Sequence, residues 1–219
     1  MDGASLHHEA LAPARAARRR AWYARAVPSI PERFTTERLL VRSWEPADAP
    51  ALRAAIDASL DQLREWLPWA VAEPTPVEEL AIRLEGFGHR FRVGEEWAFG
   101  VFDLRSGDVL GGAGLHRREA PDALEIGYWL RADAVGRGLA TEVVEALARI
   151  ALGSGGLTRV EIRCDPRNAR SVAVARRAGF RHLRTLVAHL RTPGGEPRDT
   201  MVWERCYFPE PDTPATAGG

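Results

Sequence analysis

The sequence predicts an α+β fold, in which a mixed sheet of about seven strands is flanked by about four helices. Short stretches of alternating apolar and polar residues predict the strands, and turn signals at Ser106-Gly107-Asp108 and at 193–197 predict two hairpins. Apolar residues at helical spacing, such as Leu139, Val143 and Leu147, predict the helices. The predicted order is βααβββαβαββ, which indicates layers of helices packed on one sheet.

The predicted elements begin at residue 36. A strand covers 36–44, and Asp48 is the predicted N-cap of a helix at 49–59. Residues 63–69 are interpreted as a tryptophan-bearing link. Thr75-Pro76-Val77-Glu78 supplies a cap, a proline and an acid at the start of a helix that ends near Arg92. The later predicted elements are strands at 97–103, 109–117 and 123–130, a helix from 139, a strand at 158–164, a helix at 169–178, and strands near 180–192 and 198–207.

Composition limits the classes of protein to consider. A chain of 219 residues suits one domain of ordinary size, and its formal net charge of zero draws it neither to nucleic acid nor to a membrane. No apolar run is long enough to span a bilayer. Cys164 and Cys206 are too few for a disulfide framework, so we expect reduced thiols in a cytoplasmic protein. We predict an Arg/Ala-rich extension at 1–32, flexible or partly helical, a folded domain at 33–208 and a disordered tail at 209–219.

A glycine turn between a predicted strand and a predicted helix gives the strongest functional signal. It reads Val135-Gly136-Arg137-Gly138-Leu139-Ala140-Thr141 and follows the strand that ends at Leu130. The first N–H groups of a helix have no partner within it, and the helix dipole favours an anion there. Glycine allows the backbone to approach a phosphate closely. The segment therefore predicts a phosphate site, although it matches neither the P-loop nor the dinucleotide fingerprint.

A second segment joins the first to a known family. Asn168, Ser171, Gly179 and Phe180 lie after a predicted strand, in the pattern Asn-x-x-Ser…Gly-Phe. Together the two segments resemble the GNAT superfamily of acetyl-CoA-dependent N-acetyltransferases, and within it the ribosomal-protein serine/alanine N-acetyltransferases and their relatives. Further matching segments lie at 36–42, 63–69 and 125–128, so the resemblance covers roughly residues 35–207.

The resemblance implies the GNAT fold, with a mostly antiparallel sheet, and acetyl-CoA as co-substrate. The family's pyrophosphate motif, Gln/Arg-x-x-Gly-x-Gly/Ala, is matched at Gly138 and Ala140, whereas Val135 departs from its first residue. The pantetheine arm is then expected to lie like an added strand in a V-shaped cleft, which a bulge in the Tyr128 strand opens. The implied cofactor-binding residues are Tyr128, Trp129, Leu130, Val135, Gly136, Arg137, Gly138, Leu139, Ala140, Thr141 and Asn168, and no metal site is predicted.

Acetyl transfer to an amine needs a base, a donor to the developing oxyanion and an acid for the departing thiolate. Glu125 is the predicted base, because the branch that the chain resembles often carries an acid here, and His116 is the competing base. Ser171 is the predicted acid, and a backbone N–H near Tyr128 is the predicted oxyanion donor. Arg137, together with arginines 176 and 177, is a candidate contact for the phosphates.

Several alternatives stay open at this point. The acceptor is a primary amine, either a protein N-terminus or a small molecule such as an antibiotic or a polyamine. A non-catalytic acyl-CoA-binding or regulatory module on the same fold would keep the phosphate site without needing a base. A nucleic-acid binder acting through the arginines near the N-terminus fits poorly, because the rest of the chain lacks an aromatic and basic RNA motif. A homodimer is a possible assembly.

Overall fold

The computed structural model describes residues 28–118, 120, 122–154, 157–192 and 195–206. The predicted N-terminal extension lies outside these ranges as far as residue 27, and the predicted tail at 209–219 lies wholly outside them. The statements below concern the described residues.

One sheet of eight strands forms the centre of the molecule, in the order β1-β2-β3-β4-β5-β6-β8-β7. Neighbouring strands are antiparallel except β5 and β6, which run parallel. The strands are β1 Arg33–Thr35, β2 Leu39–Ser43, β3 Glu96–Asp103, β4 Val109–Arg117, β5 Ala123–Leu130, β6 Arg159–Cys164, β7 Arg181–Arg191 and β8 Pro197–Cys206.

Five α-helices cover the sheet: α1 Ala49–Asp57, α2 Leu60–Trp66, α3 Val77–Arg92, α4 Leu139–Gly153 and α5 Ala169–Arg177. Short 3-10 turns occupy Pro46–Asp48, Pro68–Ala72 and Ala132–Ala134. None of the helices in the described ranges is long and apolar enough to cross a membrane.

The two faces of the sheet carry separate hydrophobic cores. Helices α4 and α5 pack on one face, where Leu139, Val143 and Leu147 are at most 1% exposed and each contributes about 1.5–3 kcal/mol through burial. Helices α1 to α3 pack on the other face, where Leu80 and Leu84 are fully buried. We call these the α4 face and the α1 face. Side chains alternate between the faces along each strand, so one strand supplies residues to both.

The predicted α+β architecture is confirmed, and two of its elements were not predicted. Strand β1 pairs with β2 but has only three residues, with no alternation of buried positions. Helix α2 occupies most of the segment that we interpreted as a link, because seven residues are too few to show a helical period.

Of two predicted helix caps, one is confirmed in position and the other is wrong. Asp48 is the N-cap residue of α1, but its carboxylate makes no capping bond; it accepts hydrogen bonds from Arg42 and from the Glu45 N–H instead. Helix α3 begins at Val77 after Pro76, and the Thr75 hydroxyl accepts a hydrogen bond from Arg83. In each case an arginine competes for the polar side chain: Arg42 lies six residues before Asp48, and Arg83 lies eight residues after Thr75.

Candidate active site

The loop between β5 and α4 has the backbone geometry of an anion site. Gly136 and Gly138 have φ of 77° and 80°, a left-handed conformation that residues with a Cβ rarely adopt. Gly138 is the N-cap of α4, and the first intrahelical bond runs from the Glu142 N–H to the Gly138 carbonyl. The amides at the three positions between them therefore have no acceptor within the helix.

The residues of the predicted phosphate segment have three different environments in this loop. Gly136, Gly138 and Thr141 line an open pocket of about 570 Å³, together with Arg177 of α5. Leu139 is buried in the α4-face core, and Val135 and Ala140 pack against that core, so these three positions offer only backbone groups to a ligand. The Arg137 carbonyl accepts a hydrogen bond from Arg38, whereas the Arg137 side chain is not among the groups that line the pocket.

An ion pair that sequence reasoning missed braces this loop. The Arg38 guanidinium binds Oε2 of Glu142, in the first turn of α4, through Nε at 2.7 Å and Nη2 at 2.6 Å, and it donates a further bond of 2.8 Å to the Arg137 carbonyl. The other oxygen, Oε1, accepts from the Arg38 backbone N–H at 2.9 Å. Burial alone would raise the pKa of Glu142, but hydrogen bonds from Thr36 and Arg38 hold it below its usual value. The partners are 104 residues apart, so only the matching of 36–42 to the family pointed to Arg38.

A cleft opens between β5 and β6 immediately before the loop. The two strands pair at Ala123, Leu124 and Glu125, and β6 pairs with no later residue of β5 in the described part of the chain. The Arg131 N–H donates to the Leu110 carbonyl on β4, and backbone groups alternate in an antiparallel pair. The N–H and C=O groups of Tyr128 and other even-numbered residues of β5 therefore face the cleft.

The cleft forms without the expected bulge in the β4–β5 pairing. The register is continuous from Gly111 opposite Leu130 to Arg117 opposite Leu124. The strands separate instead because β6 ends its pairing early. The predicted splay is present, and the bulge that the resemblance implied is not seen in this pair of strands.

Three predicted site residues meet on the α4 face of the cleft. The Tyr128 hydroxyl lies 2.7 Å from the Ser171 hydroxyl, and Asn168 accepts a 3.0 Å hydrogen bond from the Ser171 N–H as the N-cap of α5. Burial raises the pKa of Tyr128, so its hydroxyl stays protonated. Burial likewise raises the pKa of the Cys164 thiol, which lies at the end of β6 in the same core. Tyr128 and Ser171 thus form a partly buried pair of hydrogen-bonded hydroxyls on the α4 face.

Glu125 lies on the opposite, α1 face. Both of its oxygens accept hydrogen bonds from Arg118, at 2.7 and 3.0 Å, and the Arg163 Nε is 3.3 Å from Oε2. The structure thus brings the predicted acid and the predicted base to opposite sides of one sheet. Trp129 is also on the α1 face, in an edge contact with Trp69 at 6.0 Å, so its predicted contact with the cofactor stays a prediction.

His116, the competing base, is directly opposite Glu125 on the α1 face. Its Nδ1 lies 2.9 Å from Oε1 of Glu96 on β3, and Arg90 of α3 donates to the other oxygen of Glu96 at 2.8 Å. The hydrogen bond with His116, with that from Arg90, lowers the pKa of Glu96 to about 2 against the opposing effect of burial. Glu96 is therefore ionised near neutral pH. Sequence reasoning did not find it, because it is twenty residues from its partner.

The remaining arginine candidates lie on α5. Arg177 lines the pocket at the start of α4. Arg176 and Arg177 both line a second, smaller groove along α5, and the Arg176 guanidinium lies 5.7 Å from the ring centroid of Trp203. Of the two, Arg177 is the better placed for a phosphate at the helix start.

Comparison with known proteins gives a family. The model of the acetyltransferase (GNAT) domain matches residues 38–181. The protein named "Probable N-acetyltransferase YjcK" of Bacillus subtilis (strain 168) is 32% identical over 106 residues, which are 48% of this chain. The match spans only 59% of that protein's length.

Solved structures with the same fold lie at lower identity. The RimL ribosomal L7/L12 alpha-N-protein acetyltransferase in complex with coenzyme A superposes with a TM-score of 0.72 at 24% identity, over 81% of this chain and 97% of that one. The microcin C7 self-immunity acetyltransferase MccE in complex with acetyl-CoA and AMP gives a TM-score of 0.74 at 18% identity, over 83% of this chain and all of the other. At these identities the superpositions establish the fold.

Proposed function

Because the chain belongs to the GNAT acetyltransferase family, we propose that it transfers acetyl from acetyl-CoA to a primary amine by direct attack in a ternary complex. One observation carries the proposal: the anion site at the start of α4 and the cleft beside β5 are consecutive, since β5 leads directly into the loop. A ligand with a diphosphate at one end and an extended amide-bearing arm fits this order of groups. Acetyl-CoA has that form, and when bound it supplies an activated carbonyl.

The residues present fit such a ligand. The unpaired amides after Gly138 and the positive end of the α4 dipole would hold the diphosphate, and Arg177 is placed to add a charge-assisted bond. The cleft-facing backbone of Tyr128 and its even-numbered neighbours would bond the arm as a strand does. A cleft-facing N–H of β5 is also the candidate donor to the developing oxyanion.

The partly buried hydroxyls of Ser171 and Tyr128 supply the acid of the proposed reaction. Ser171 is on the first turn of α5, fixed through its backbone by Asn168 and through its hydroxyl by Tyr128. A thiolate that leaves on the α4 face can take the Ser171 proton, which Tyr128 can replace through their shared bond. The role assigned to Ser171 from the sequence is therefore compatible with its surroundings.

The acceptor is proposed to enter from the α1 face, where Trp69 is 40% exposed and contacts Trp129. Glu73, an acid between α2 and α3, is not free to bind a polyamine, because it is buried and accepts hydrogen bonds from Arg83 and the Thr75 N–H. An aromatic wall suits the first residues of a peptide, so a protein N-terminus is the preferred acceptor class.

Titration calorimetry tests the co-substrate site. We expect CoA and acetyl-CoA to bind, and Gly138→Ala to raise their Kd about tenfold, because a Cβ strains the left-handed backbone by about 1–2 kcal/mol. Gly153→Ala is the matched control, since its added Cβ meets nothing within 4 Å. If the folded wild-type protein binds neither CoA nor acetyl-CoA, the proposed function is wrong.

Thiol release from acetyl-CoA tests the reaction. The panel contains peptides that begin with Ser, Ala or Met, and spermidine as a small amine. We expect amine-dependent release and a mass increase of one acetyl group on the accepted peptide.

A non-catalytic acyl-CoA-binding module is the second candidate, and one observation favours it. Glu125, the acid predicted as base, is held by Arg118 and Arg163, which is the arrangement of a structural carboxylate. Tight binding of CoA together with no turnover of any amine would support this candidate.

A further inference from the structure

A base for the acceptor amine needs a lone pair that is free and aimed at the reaction site. Both oxygens of Glu125 accept hydrogen bonds from Arg118, and Arg163 adds its charge at 3.3 Å. A proton on Glu125 would have to displace one of these charge-assisted bonds. The α1 face offers a second titratable side chain at the same level of the sheet, His116.

The pairing with Glu96 fixes the tautomer of His116. Ionised Glu96 can only accept a hydrogen bond, so the 2.9 Å contact places the imidazole proton on Nδ1. The lone pair is then on Nε2. Arg90 holds Glu96 from α3, and Phe87 packs against Arg90 with its ring centroid 4.9 Å from the guanidinium carbon. This is the arrangement in which a carboxylate orients a histidine as a base.

Two glycines fix the position of Nε2. Gly114 of β4 and Gly127 of β5 are directly opposite each other, and the imidazole lies over both. A Cβ added at Gly114 would be 2.8 Å from Nε2, and one added at Gly127 would be 3.0 Å from it. The ring thus needs both glycines. No described residue makes a hydrogen bond to Nε2, and the His116 side chain is 29% exposed.

Gly127 places Nε2 beside the cleft. It follows Glu125, the last residue of β5 that pairs with β6, by two positions, and it precedes Tyr128. On the α1 face the residues before and after it in the same column are Glu125 and Trp129. An imidazole nitrogen, an ion-paired carboxylate and an indole therefore lie on the α1 face at the level where β5 and β6 separate.

We propose that His116 is the catalytic base of the acetyl transfer and that Glu96 is its positioning residue; this inference rests on the proposed function. The amine nitrogen attacks the thioester carbon, so that a C–N bond forms and the C–S bond breaks with its electron pair on sulfur. The proton that the nitrogen loses passes to Nε2 of His116. The thiolate takes a proton from Ser171 on the other face. Proton exchange with solvent then restores both groups.

The charged groups around His116 define the pH test. They are Glu96 on β3 with Arg90 behind it on α3, and Glu125 on β5 with Arg118 after β4 and Arg163 on β6. A protonated Nε2 cannot accept the amine proton, so kcat/KM has an acid limb that the imidazole produces. Glu96, with a pKa of about 2, remains ionised through this range of pH.

Thiol release with acetyl-CoA and the accepted Ser-, Ala- or Met-initial peptide tests the assignment. We expect His116→Ala to lower kcat about 100- to 1,000-fold with the Kd for CoA unchanged, to lose the acid limb, and to recover activity when free imidazole is added. We expect Glu96→Gln to lower kcat about 10- to 100-fold, because the Gln amide donates to Nδ1 and moves the imidazole proton to Nε2. His89→Ala, at an exposed histidine of α3, is the matched control.

The possible results distinguish an error in the roles of His116 and Glu96 from an error in the proposed acetyl transfer. Activity of His116→Ala within threefold of wild type, with its acid limb retained, would overturn the role of His116, especially if Glu125→Gln then showed the larger loss. Unaltered kcat in Glu96→Gln would overturn the positioning role. CoA calorimetry on each variant shows that it is folded, and Glu96→Gln keeps the assignment testable if His116→Ala does not fold. A wild-type protein that binds CoA but acetylates no amine would instead remove the proposed function.

Discussion

The contact between Arg38 and Glu142 shows how one residue pair can set the shape of a binding loop. Arg38 follows β1 and reaches both the first turn of α4 and the carbonyl of Arg137. It therefore ties the edge of the sheet to the loop whose amides face the pocket. Because Glu142 neutralises Arg38, the brace adds rigidity without contributing a free positive charge.

Glu142→Gln tests the brace. We expect the Kd for CoA to rise about three- to tenfold, or up to about 1.4 kcal/mol, because the loop loses its charged anchor and orders on binding. Calorimetry measures the change. Asp57→Asn removes a comparable 2.7 Å ion pair with Arg53 on α1 and should leave the Kd unaltered. An unchanged Kd in folded Glu142→Gln would show that the loop holds its shape without Arg38.

Glu96 gives a prediction about stability and pH. Its pKa in the folded protein is about 2, below the ordinary 4.5, so its contribution to folding is fully present above pH 4.5 and is lost as the pH falls towards 2. We expect Glu96→Gln to lower the free energy of unfolding by about 1–3 kcal/mol at pH 6, with the difference shrinking as the pH falls below 4.5. Urea unfolding at several pH values measures it. A difference that stays constant down to pH 2.5 would contradict the ionised pairing with His116.

At the scale of the element, α5 begins with a side chain that serves both folding and the site. The Asn168 side chain caps the helix by accepting from the Ser171 N–H, and the same turn presents the Ser171 hydroxyl to Tyr128. The cap therefore sets the position of the proposed acid. This explains how Asn168 can satisfy a structural requirement and still lie at the cleft.

Asn168→Ala should destabilise the protein by about 1 kcal/mol, which corresponds to a fall in Tm of roughly 2–4 °C. The Ser171 amide then loses its acceptor at the start of the helix. Thermal unfolding without ligand measures the effect. Asn168→Asp is the matched variant, since its carboxylate can accept the same bond, and an equal loss in both variants would argue against the capping role.

Element positions were largely readable from the sequence, whereas the partners of the site residues were not. Strands β3, β4 and β5 differ by at most one residue from the predicted ranges. The turn signal at 106–108 separates the first two, and short apolar runs bounded by turn residues are typical of strands. The phosphate loop was also identified, since glycines before an apolar helix have a direct backbone meaning. Helix α2 was missed because its two turns show no such period.

The ion pairs illustrate the limit of sequence reasoning. Glu125 was predicted as a base from its position on β5, but Arg163 reaches it from another strand, 38 residues later in the chain. Glu96 reaches His116 through the β3–β4 register. Such contacts depend on which strands become neighbours, and no local pattern specifies that order.

At the scale of the whole molecule, an alternating chain of charges crosses four strands on the α1 face. Arginine and glutamate succeed one another along it at distances of 2.6 to 3.9 Å, in the order Arg118, Glu125, Arg163, Glu161, Arg159, Glu204 and Arg181. The carboxylates of Glu161 and Glu204 would repel across β6 and β8 without the arginines between them. The chain therefore couples the parallel strand pair to the C-terminal hairpin.

Glu161→Gln tests this coupling. Glu161 is 4% exposed and binds Arg163 at 3.1 Å and Arg159 at 3.3 Å, so its loss leaves two partly buried arginines short of a counter-charge. We expect the free energy of unfolding to fall by about 1–3 kcal/mol, with little dependence on salt, because the pairs are shielded from solvent. Urea denaturation at low and high NaCl measures both. Glu85→Gln, at an exposed position of α3, should change neither, and a similar effect there would refute the coupling.

Because side chains alternate between the two faces along β5, the two proton transfers of the proposed reaction take place on opposite faces of the sheet. In the proposed reaction one proton is accepted on the α1 face, at an imidazole whose side chain is 29% exposed, and another is donated on the α4 face, from the partly buried hydroxyls of Ser171 and Tyr128. The backbone of the sheet separates the base from the acid. A proton therefore cannot pass directly from one to the other before the C–N bond forms. The two sites then return to their starting protonation states at different times. His116 can lose its proton to solvent at once, whereas Ser171 and Tyr128 regain a proton only after CoA has left and water has entered. Departure of the thiol, more than the encounter with the amine, would then govern how soon the next cycle begins.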